Sequence, residues 1–211
     1  MRSQCFVDGG HLRATSKRLG MPLVNPRTLA TTIGYSELIQ YWQTAKWSSN
    51  PLRFVGHQDV RIGLTRVVYY DAWPDDGPEP NLEAYWRQVE LLPDTDIGFG
   101  AVRGQPRRQK RVDGLIAVDM LVGSFTSLFE VAVLVAGDAD FVPIVDAVRR
   151  RGVMVVVAAV EDSLSSELRR AADRIWPIQP DRGDAYFPAL ESDDGRIWFE
   201  DKDGKVQLVQ K

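Results

Sequence analysis

Asp138 and Asp140, two acids separated by one residue, stand where the chain is expected to do chemistry. They follow an apolar run at 131–136 and Gly137, and a helical pattern follows them. An apolar run of this length beside a helix is typical of a βαβ unit with buried parallel strands. The carboxylates are therefore expected just past the carboxyl end of a strand, where open α/β sheets bind ligands. Because two close carboxylates repel each other unless a cation lies between them, a divalent metal is the first hypothesis.

Further acids occupy comparable positions. Asp8 ends a short apolar strand, Asp71 ends a β-branched and aromatic run, and Asp113 lies in the first turn of a predicted helix. Parallel strands share one carboxyl edge, so right-handed crossovers can bring these acids together. Taken singly, each could instead cap a helix or complement its dipole. Together, hard oxygen ligands without His or Cys favour Mg²⁺ or Mn²⁺ over zinc.

The segment directly before Asp113 is strongly basic. It carries Arg103, Arg107, Arg108, Lys110 and Arg111. Because the formal net charge of the whole chain is -3, a nucleic acid would have to be bound locally, by a segment such as this one gripping phosphates. A solvated loop is the alternative interpretation.

The elements that must position these residues alternate between strands and helices, which predicts an α/β fold with a mostly parallel sheet. Strands are predicted at 4–8, 64–71, 96–102, 131–136, from 153 and at 174–178, and helices at 11–19, 81–92, 112–122, 141–151 and 162–172. Asn81 is the expected N-cap of the second of these helices. After Gly183, two alternating runs joined by Lys202-Asp203-Gly204 predict an appended β-hairpin.

Composition excludes several classes of protein. The 211 residues are 44% hydrophobic and 26% charged, as in ordinary globular domains, and no apolar stretch is long enough for a transmembrane helix, so no membrane partner is expected. The single cysteine, Cys5, cannot form an internal disulfide, which favours a reducing compartment and predicts a cytoplasmic protein. GxxxxGK[ST], GxGxxG and GxSxG motifs are all missing, which argues against P-loop, dinucleotide-binding and serine hydrolase sites.

Four segments in register carry a family resemblance. They are FVDGGHL (6–12), KRVD (110–113), AVD (117–119) and VAGDADF (135–141), and the stretch 165–173 is similar to a closing helix. Together they resemble the NYN domain family, within the PIN-like superfamily of metal-dependent ribonucleases. The resemblance covers residues 4 to about 178 and implies a three-layer α/β/α fold with a mostly parallel central sheet. The predicted C-terminal β-hairpin lies outside it, as an appendage.

The resemblance implies roles for particular residues. Asp8, Asp113, Asp138 and Asp140 match the acidic metal site, and Asp119 matches a further acid that could hold a second metal or orient the attacking water. The implied activity is Mg²⁺- or Mn²⁺-dependent hydrolysis of RNA, most simply by an endonuclease, leaving 5′-phosphate and 3′-hydroxyl ends. RNA is thus the expected partner of the basic segment.

The chain departs from the family pattern at His11, in the length of one connection, and at Gly10, which replaces a more usual Ala or Ser and should be tolerated. His11 stands where the family usually has Asn, and we expect it to contact RNA or orient a ligand. Residues 25–63 form a longer connection than usual, whose aromatic side chains would serve a core or a homodimer face. We therefore predict a nuclease domain at 1–180 and a hairpin extension at 181–211, the latter a possible surface for a protein partner.

Two other functions stay open on the sequence. A non-catalytic module that binds RNA or protein on a PIN-like scaffold is favoured by the substitution at His11. A phosphoryl hydrolase acting on nucleotides or structured DNA would use the same carboxylate site, because a metal held by acids does not itself select the sugar.

Overall fold

The structure, a computed structural model, describes residues 1–33, 63–103, 108–110, 112–179 and 189–210, with backbone alone at 101–103 and 108–110. The strands are β1 (Arg2–Asp8), β2 (Gly63–Pro74), β3 (Thr95–Arg103), β4 (Arg108–Lys110), β5 (Val131–Val135), β6 (Met154–Ala159), β7 (Arg174–Pro177), β8 (Ile197–Glu200) and β9 (Val206–Val209). The helices are α1 (Gly9–Leu19), α2 (Pro80–Glu90), α3 (Val112–Phe125), α4 (Val142–Arg150) and α5 (Ser166–Ala171). Residues 26–33 are also helical.

The central sheet has seven strands in the order β4-β3-β2-β1-β5-β6-β7. All neighbouring pairs are parallel except β3 and β4, so an antiparallel edge strand is added to six parallel ones. The chain builds outward from β1 to β3 and then returns to the other side of β1 with β5. This reversal places a topological switch point between the carboxyl ends of β1 and β5, where sheets of this kind bind ligands.

Helices cover both faces of the sheet, as the alternating pattern predicts. On one face, α1, the helical residues 26–33 and α2 pack on the odd-numbered positions of β1, such as Cys5 and Val7. On the other, α3, α4 and α5 cover Phe6 and its neighbours. The predicted three-layer α/β/α architecture with a mostly parallel sheet is confirmed.

The predicted C-terminal hairpin, β8 and β9, is also confirmed. It packs against the layer formed by α1, residues 26–33 and α2, which we call the first helical layer. Trp198 and Val206 are buried in the same core cluster as Tyr85 of α2. Asn81 Nδ2 donates to the Val206 carbonyl at 2.9 Å, and the Leu23 N–H donates to the Trp198 carbonyl at 2.6 Å. The hairpin therefore shares a core with the preceding residues, while the boundary near 180 and a partner role for the hairpin stay predictions.

Some element boundaries differ from the sequence-based ones for local reasons. The predicted cap by Asn81 is wrong: α2 begins one residue earlier, at Pro80, so Asn81 lies within the first turn, and Glu79 at the N-cap position makes no side-chain capping hydrogen bond. The helix predicted at 162–172 divides into a 3₁₀ turn at Glu161–Ser163 and α5, which Ser165 caps by accepting a hydrogen bond from the Leu168 N–H.

Most of the predicted insertion at 25–63 lies outside the described residues, since 34–62 are not among them. In the part of the chain that the structure describes, no helix is long and apolar enough to cross a membrane.

Candidate functional site

Asp8 and Asp138 flank the switch point of the sheet. Asp8 is the last residue of β1, and Asp138 follows the end of β5 by three residues. Because β1 and β5 are parallel neighbours, with Val7 opposite Val135, both acids emerge at the same carboxyl edge. Both residues therefore lie where the topology opens a crevice.

Asp8 has a structural role and an electrostatic cost. Its Oδ1 accepts a hydrogen bond from the His11 N–H at 3.0 Å, which caps α1. Burial raises the pKa of Asp8 to about 6; the hydrogen bond from His11 opposes this shift, and the charge of Asp113 adds to it. The capping interpretation is correct for this residue, but the cap does not remove the repulsion from its acidic neighbour.

Asp113, Asp138 and Asp140 complete the group. Burial raises the pKa of Asp113, and the charges of Asp138 and then Asp140 raise it further. All three residues are exposed. Neither the 3₁₀ turn at Ala139–Phe141 nor α4 has a side-chain cap, so Asp138 and Asp140 do not serve as caps. We call Asp8, Asp113, Asp138 and Asp140 the acidic edge.

The acidic edge has no ion pair with any side chain that the structure describes. None of its members takes part in the ion pairs found among the described residues. Within those same residues, no group of three or more His, Cys, Asp or Glu side chains is arranged so that it could hold a metal ion. The carboxylates thus repel one another across the switch point without forming a closed coordination cluster. In donor chemistry the set fits a hard divalent cation, which would relieve this repulsion.

A close contact holds the loop that carries Asp138. A Cβ on Gly137 would collide with the Ser163 carbonyl oxygen and lie 2.7 Å from Cε1 of His11. The Gly137 carbonyl accepts a hydrogen bond from the Ser165 N–H at 2.8 Å. Only glycine fits between the first turn of α1 and the start of α5, so this position fixes where the acid after it can stand.

His11 lies inside the site rather than on its surface. Its Nε2 is buried and has no hydrogen-bond partner among the described residues. Burial lowers the pKa of His11, and the charge of Asp138 opposes that shift. The ring packs against the Gly137 loop, and its expected contact with RNA stays a prediction.

Asp119 is held by a residue that sequence reasoning missed. The Tyr70 hydroxyl donates to Asp119 Oδ2 at 2.7 Å, and burial followed by this hydrogen bond raises the pKa of Tyr70. Tyr70 lies opposite Asp8 in the parallel register of β1 and β2. Its position next to Asp71 at the end of an apolar run was the only hint in the sequence. A role for Asp119 with a second metal or a water stays a prediction.

Asp71 does not join the acidic edge, so its grouping with the other strand-end acids is wrong. It lies within β2, which continues to Pro74, and it is fully buried on the face covered by α1 and α2. Arg13 forms an ion pair with it, and Trp86 Nε1 donates to Asp71 Oδ2 at 2.9 Å. Glu200 of the hairpin lies 3.4 Å from Arg13 Nε. The charge of Asp71 is therefore compensated within the core.

The backbone of the basic segment comes shortly before Asp113 of the acidic edge. Arg103 is the last residue of β3, opposite Arg108 in β4, and Lys110 lies opposite Ala101. The chain then enters α3 and reaches Asp113. Arg107 and Arg111 lie outside the described residues. The described parts of the segment thus belong to the antiparallel pair of β3 and β4, which precedes α3 in the chain, and its expected binding of RNA stays a prediction.

Comparisons with known proteins agree with this architecture. A solved structure of a protein of unknown function from Vibrio parahaemolyticus is similar, with a TM-score of 0.57 and 16% sequence identity over 85% of this chain and 94% of that chain. At that identity the likeness shows the fold alone. No curated protein matches the sequence. The family model described as NYN domain matches residues 4–179, most of the chain. The chain therefore belongs to the NYN domain family, whose members are PIN-like domains of the nuclease type.

Proposed function

We propose that the protein is a metal-dependent ribonuclease that hydrolyses RNA phosphodiester bonds at the acidic edge. The observation that carries this proposal is the convergence of uncompensated carboxylates at the switch point, where Asp113 raises the pKa of Asp8 and is itself affected by Asp138 and Asp140. Membership of a nuclease-type family supports the same conclusion. A fold that keeps such repulsion is expected to use it for binding a cation.

The residues of the acidic edge would hold Mg²⁺ or Mn²⁺, which when bound supplies positive charge to the phosphoryl group and orients a water for in-line attack. The chain's own contribution is positional. The His11 N–H fixes Asp8, and the Gly137 loop fixes Asp138. In the overall reaction, water adds across one P–O bond, leaving a 5′-phosphate and a 3′-hydroxyl.

The direct test is cleavage of an end-labelled RNA by purified protein with and without Mn²⁺. Asp138→Asn removes one charge at an exposed position and is expected to lower the cleavage rate by about 100-fold, as for loss of one electrostatic contact to the reacting group. Asp203→Asn, in the turn of the C-terminal hairpin, is the matched control and should cleave at the rate of the parent protein. Equal rates for Asp138→Asn and the parent would contradict the proposal.

The RNA-binding module without catalysis remains a second candidate, because the described residues contain no closed coordination cluster. Calorimetric titration with Mn²⁺ separates the two: the nuclease binds the metal and loses that binding in Asp138→Asn, whereas the module binds RNA in its absence. Comparing cleavage of matched RNA and DNA strands tests the remaining alternative, a hydrolase for nucleotides or structured DNA.

A further inference from the structure

Three aromatic side chains cluster at the rim of the sheet. Trp73 near the end of β2 and Trp86 of α2 stack with ring centroids 5.6 Å apart and an interplanar angle of 29°. Phe99 of β3 meets both rings edge-on, with centroids at 5.1 Å from Trp73 and 4.8 Å from Trp86. We call these three residues the aromatic cluster.

The aromatic cluster combines one buried, fixed ring with two rings that are partly exposed to solvent. Trp86 is only 3% exposed, and its indole N–H is fixed by the hydrogen bond to Asp71. Trp73 and Phe99, by contrast, are 42% and 39% exposed. Most exposed large apolar side chains are scattered singly and need no explanation, but two adjacent rings on an anchored third form a preorganised aromatic surface.

The strand register places this surface at the same carboxyl end of the sheet as the acidic edge, on the face covered by α1 and α2. Asp8 lies opposite Tyr70 in the neighbouring strand, and Trp73 follows three residues later along β2. At the rise of an extended strand, Trp73 stands about 10 Å beyond the level of Asp8 and one strand to the side. A short stretch of single strand spans that distance, so one nucleic acid could reach both places.

The same register connects the aromatic cluster to the basic segment. Trp73 lies opposite Ala101 of β3, and Ala101 lies opposite Lys110 of β4, so the three backbone positions form one row across the sheet. Arg103 and Arg108 face each other farther along the same strand pair. Rings flanked by basic positions are the combination with which proteins bind single-stranded nucleic acids, because bases stack on the rings and phosphates follow the positive charge.

We propose that Trp73 and Phe99 form a stacking platform for an unpaired base of an RNA strand that also reaches the acidic edge. This rests on the proposed function, and it narrows the substrate to RNA that is single-stranded at the site. Bases inside a duplex already stack on each other and have no free face for the platform, whereas the unstacked bases of loops and ends are read by aromatic side chains.

Binding is measured by fluorescence anisotropy in the Asp138→Asn background of the full chain, so that cleavage does not interfere. The probes are a labelled oligouridylate of about 12 nucleotides, within the site sizes of single-strand binders, and a duplex RNA of the same length. Trp73→Leu removes the ring but keeps an apolar side chain, and it is expected to weaken binding of the single strand by about 5- to 100-fold. Trp73→Phe should restore most of the affinity, and the duplex should bind equally to all variants.

Phe125→Leu is the control, since Phe125 is an exposed ring, 58% accessible, at the far end of α3. It should leave the affinity for both probes unchanged, and circular dichroism should show that all variants are folded. Equal affinities of the single strand for Trp73→Leu, Trp73→Phe and the parent would overturn the platform, as would failure of the single strand to bind at low ionic strength.

The two proposals can fail separately. If Trp73→Leu weakens binding but the parent protein never cleaves RNA, the platform stands and the ribonuclease does not. If RNA is cleaved in a manner that depends on Asp138 while Trp73→Leu binds normally, the ribonuclease stands and the platform does not.

Discussion

Two acidic positions in neighbouring strands at the same edge of the sheet have opposite surroundings. Asp71 of β2 is fully buried, paired with Arg13 and hydrogen-bonded by Trp86. Asp8 of β1 caps a helix and faces another acid, Asp113, with no cation from the described residues beside it. Both residues end apolar runs in the sequence, yet one charge is compensated within the core and the other is left to repel its neighbours.

This difference shows that a structural acid is distinguished from a candidate metal ligand by whether its charge is compensated, and not by its position at the end of an apolar run. A buried carboxylate must be paired if the fold is to be stable, and α1 supplies the pair for Asp71. At the switch point, none of the four carboxylates forms an ion pair with a side chain that the structure describes, and their mutual repulsion is costly unless something else binds there. Mutations that change the compensation on either side should therefore have opposite effects on stability.

The largest effect is expected at Asp71. Asp71→Ala leaves the mostly buried guanidinium of Arg13 with only Glu200, and it should lower the free energy of unfolding by about 3–5 kcal/mol. Urea denaturation followed by circular dichroism measures this loss. The double variant Arg13→Met with Asp71→Leu removes both charges and should recover most of it. A loss of under about 1 kcal/mol for Asp71→Ala would show that the pair is not needed.

Next in size is the effect of Gly137→Ala, which places a methyl group against the Ser163 carbonyl and the ring of His11. Displacing the backbone of that loop should cost about 3 kcal/mol in the same denaturation experiment. Gly114→Ala is the matched control: its methyl group would meet open space in α3, and it should stabilise the protein by about 0.5–1 kcal/mol. If both variants are equally stable, the loop is free to move and does not fix Asp138.

A gain of stability is expected from Asp8→Asn near neutral pH. Because the pKa of Asp8 is about 6 in the folded protein and 3.8 in the unfolded chain, the folded protein binds extra protons between these values, and its stability falls as the pH rises through them. Asn removes this dependence and can still cap α1. Thermal unfolding at about pH 7 should show a gain of about 3 kcal/mol that disappears below about pH 4. A gain that is the same at both pH values would point to a cause other than this ionisation.

The smallest effect is expected for Tyr70→Phe, which removes the hydroxyl that donates to Asp119. Because Asp119 is exposed and can be solvated instead, the loss should be about 1 kcal/mol. Tyr69→Phe is the comparison, because the Tyr69 hydroxyl lies 3.5 Å from Asp71, the acid whose charge is compensated. If Asp119 acts in the reaction, Tyr70→Phe should also slow RNA cleavage while leaving Mn²⁺ binding unchanged.

The sequence predicted the fold well because the fold depends on patterns that are local. The alternation of apolar runs with helical patterns was sufficient for the three layers, and family motifs located the acids of the edge. It could not distinguish Asp71 from Asp8, because the residues that decide their surroundings, Arg13 and Trp86, come from other elements of the chain. The failed prediction of a cap at Asn81 has a local origin instead, since Pro80 starts the helix one residue earlier and leaves Asn81 inside its first turn.

The way in which the hairpin closes the first helical layer has a consequence for the order of folding. Tyr85 and Leu23 are buried partly by Trp198 and Val206, which leave the ribosome about 6–25 s after β2 at typical rates of synthesis. During that interval the layer over α1 and α2 shows an apolar surface to its surroundings, whereas α3, α4 and α5 can already cover the opposite face of the sheet. The nascent chain therefore needs protection on one side only, and a chain shortened before residue 189 is expected to aggregate through that side.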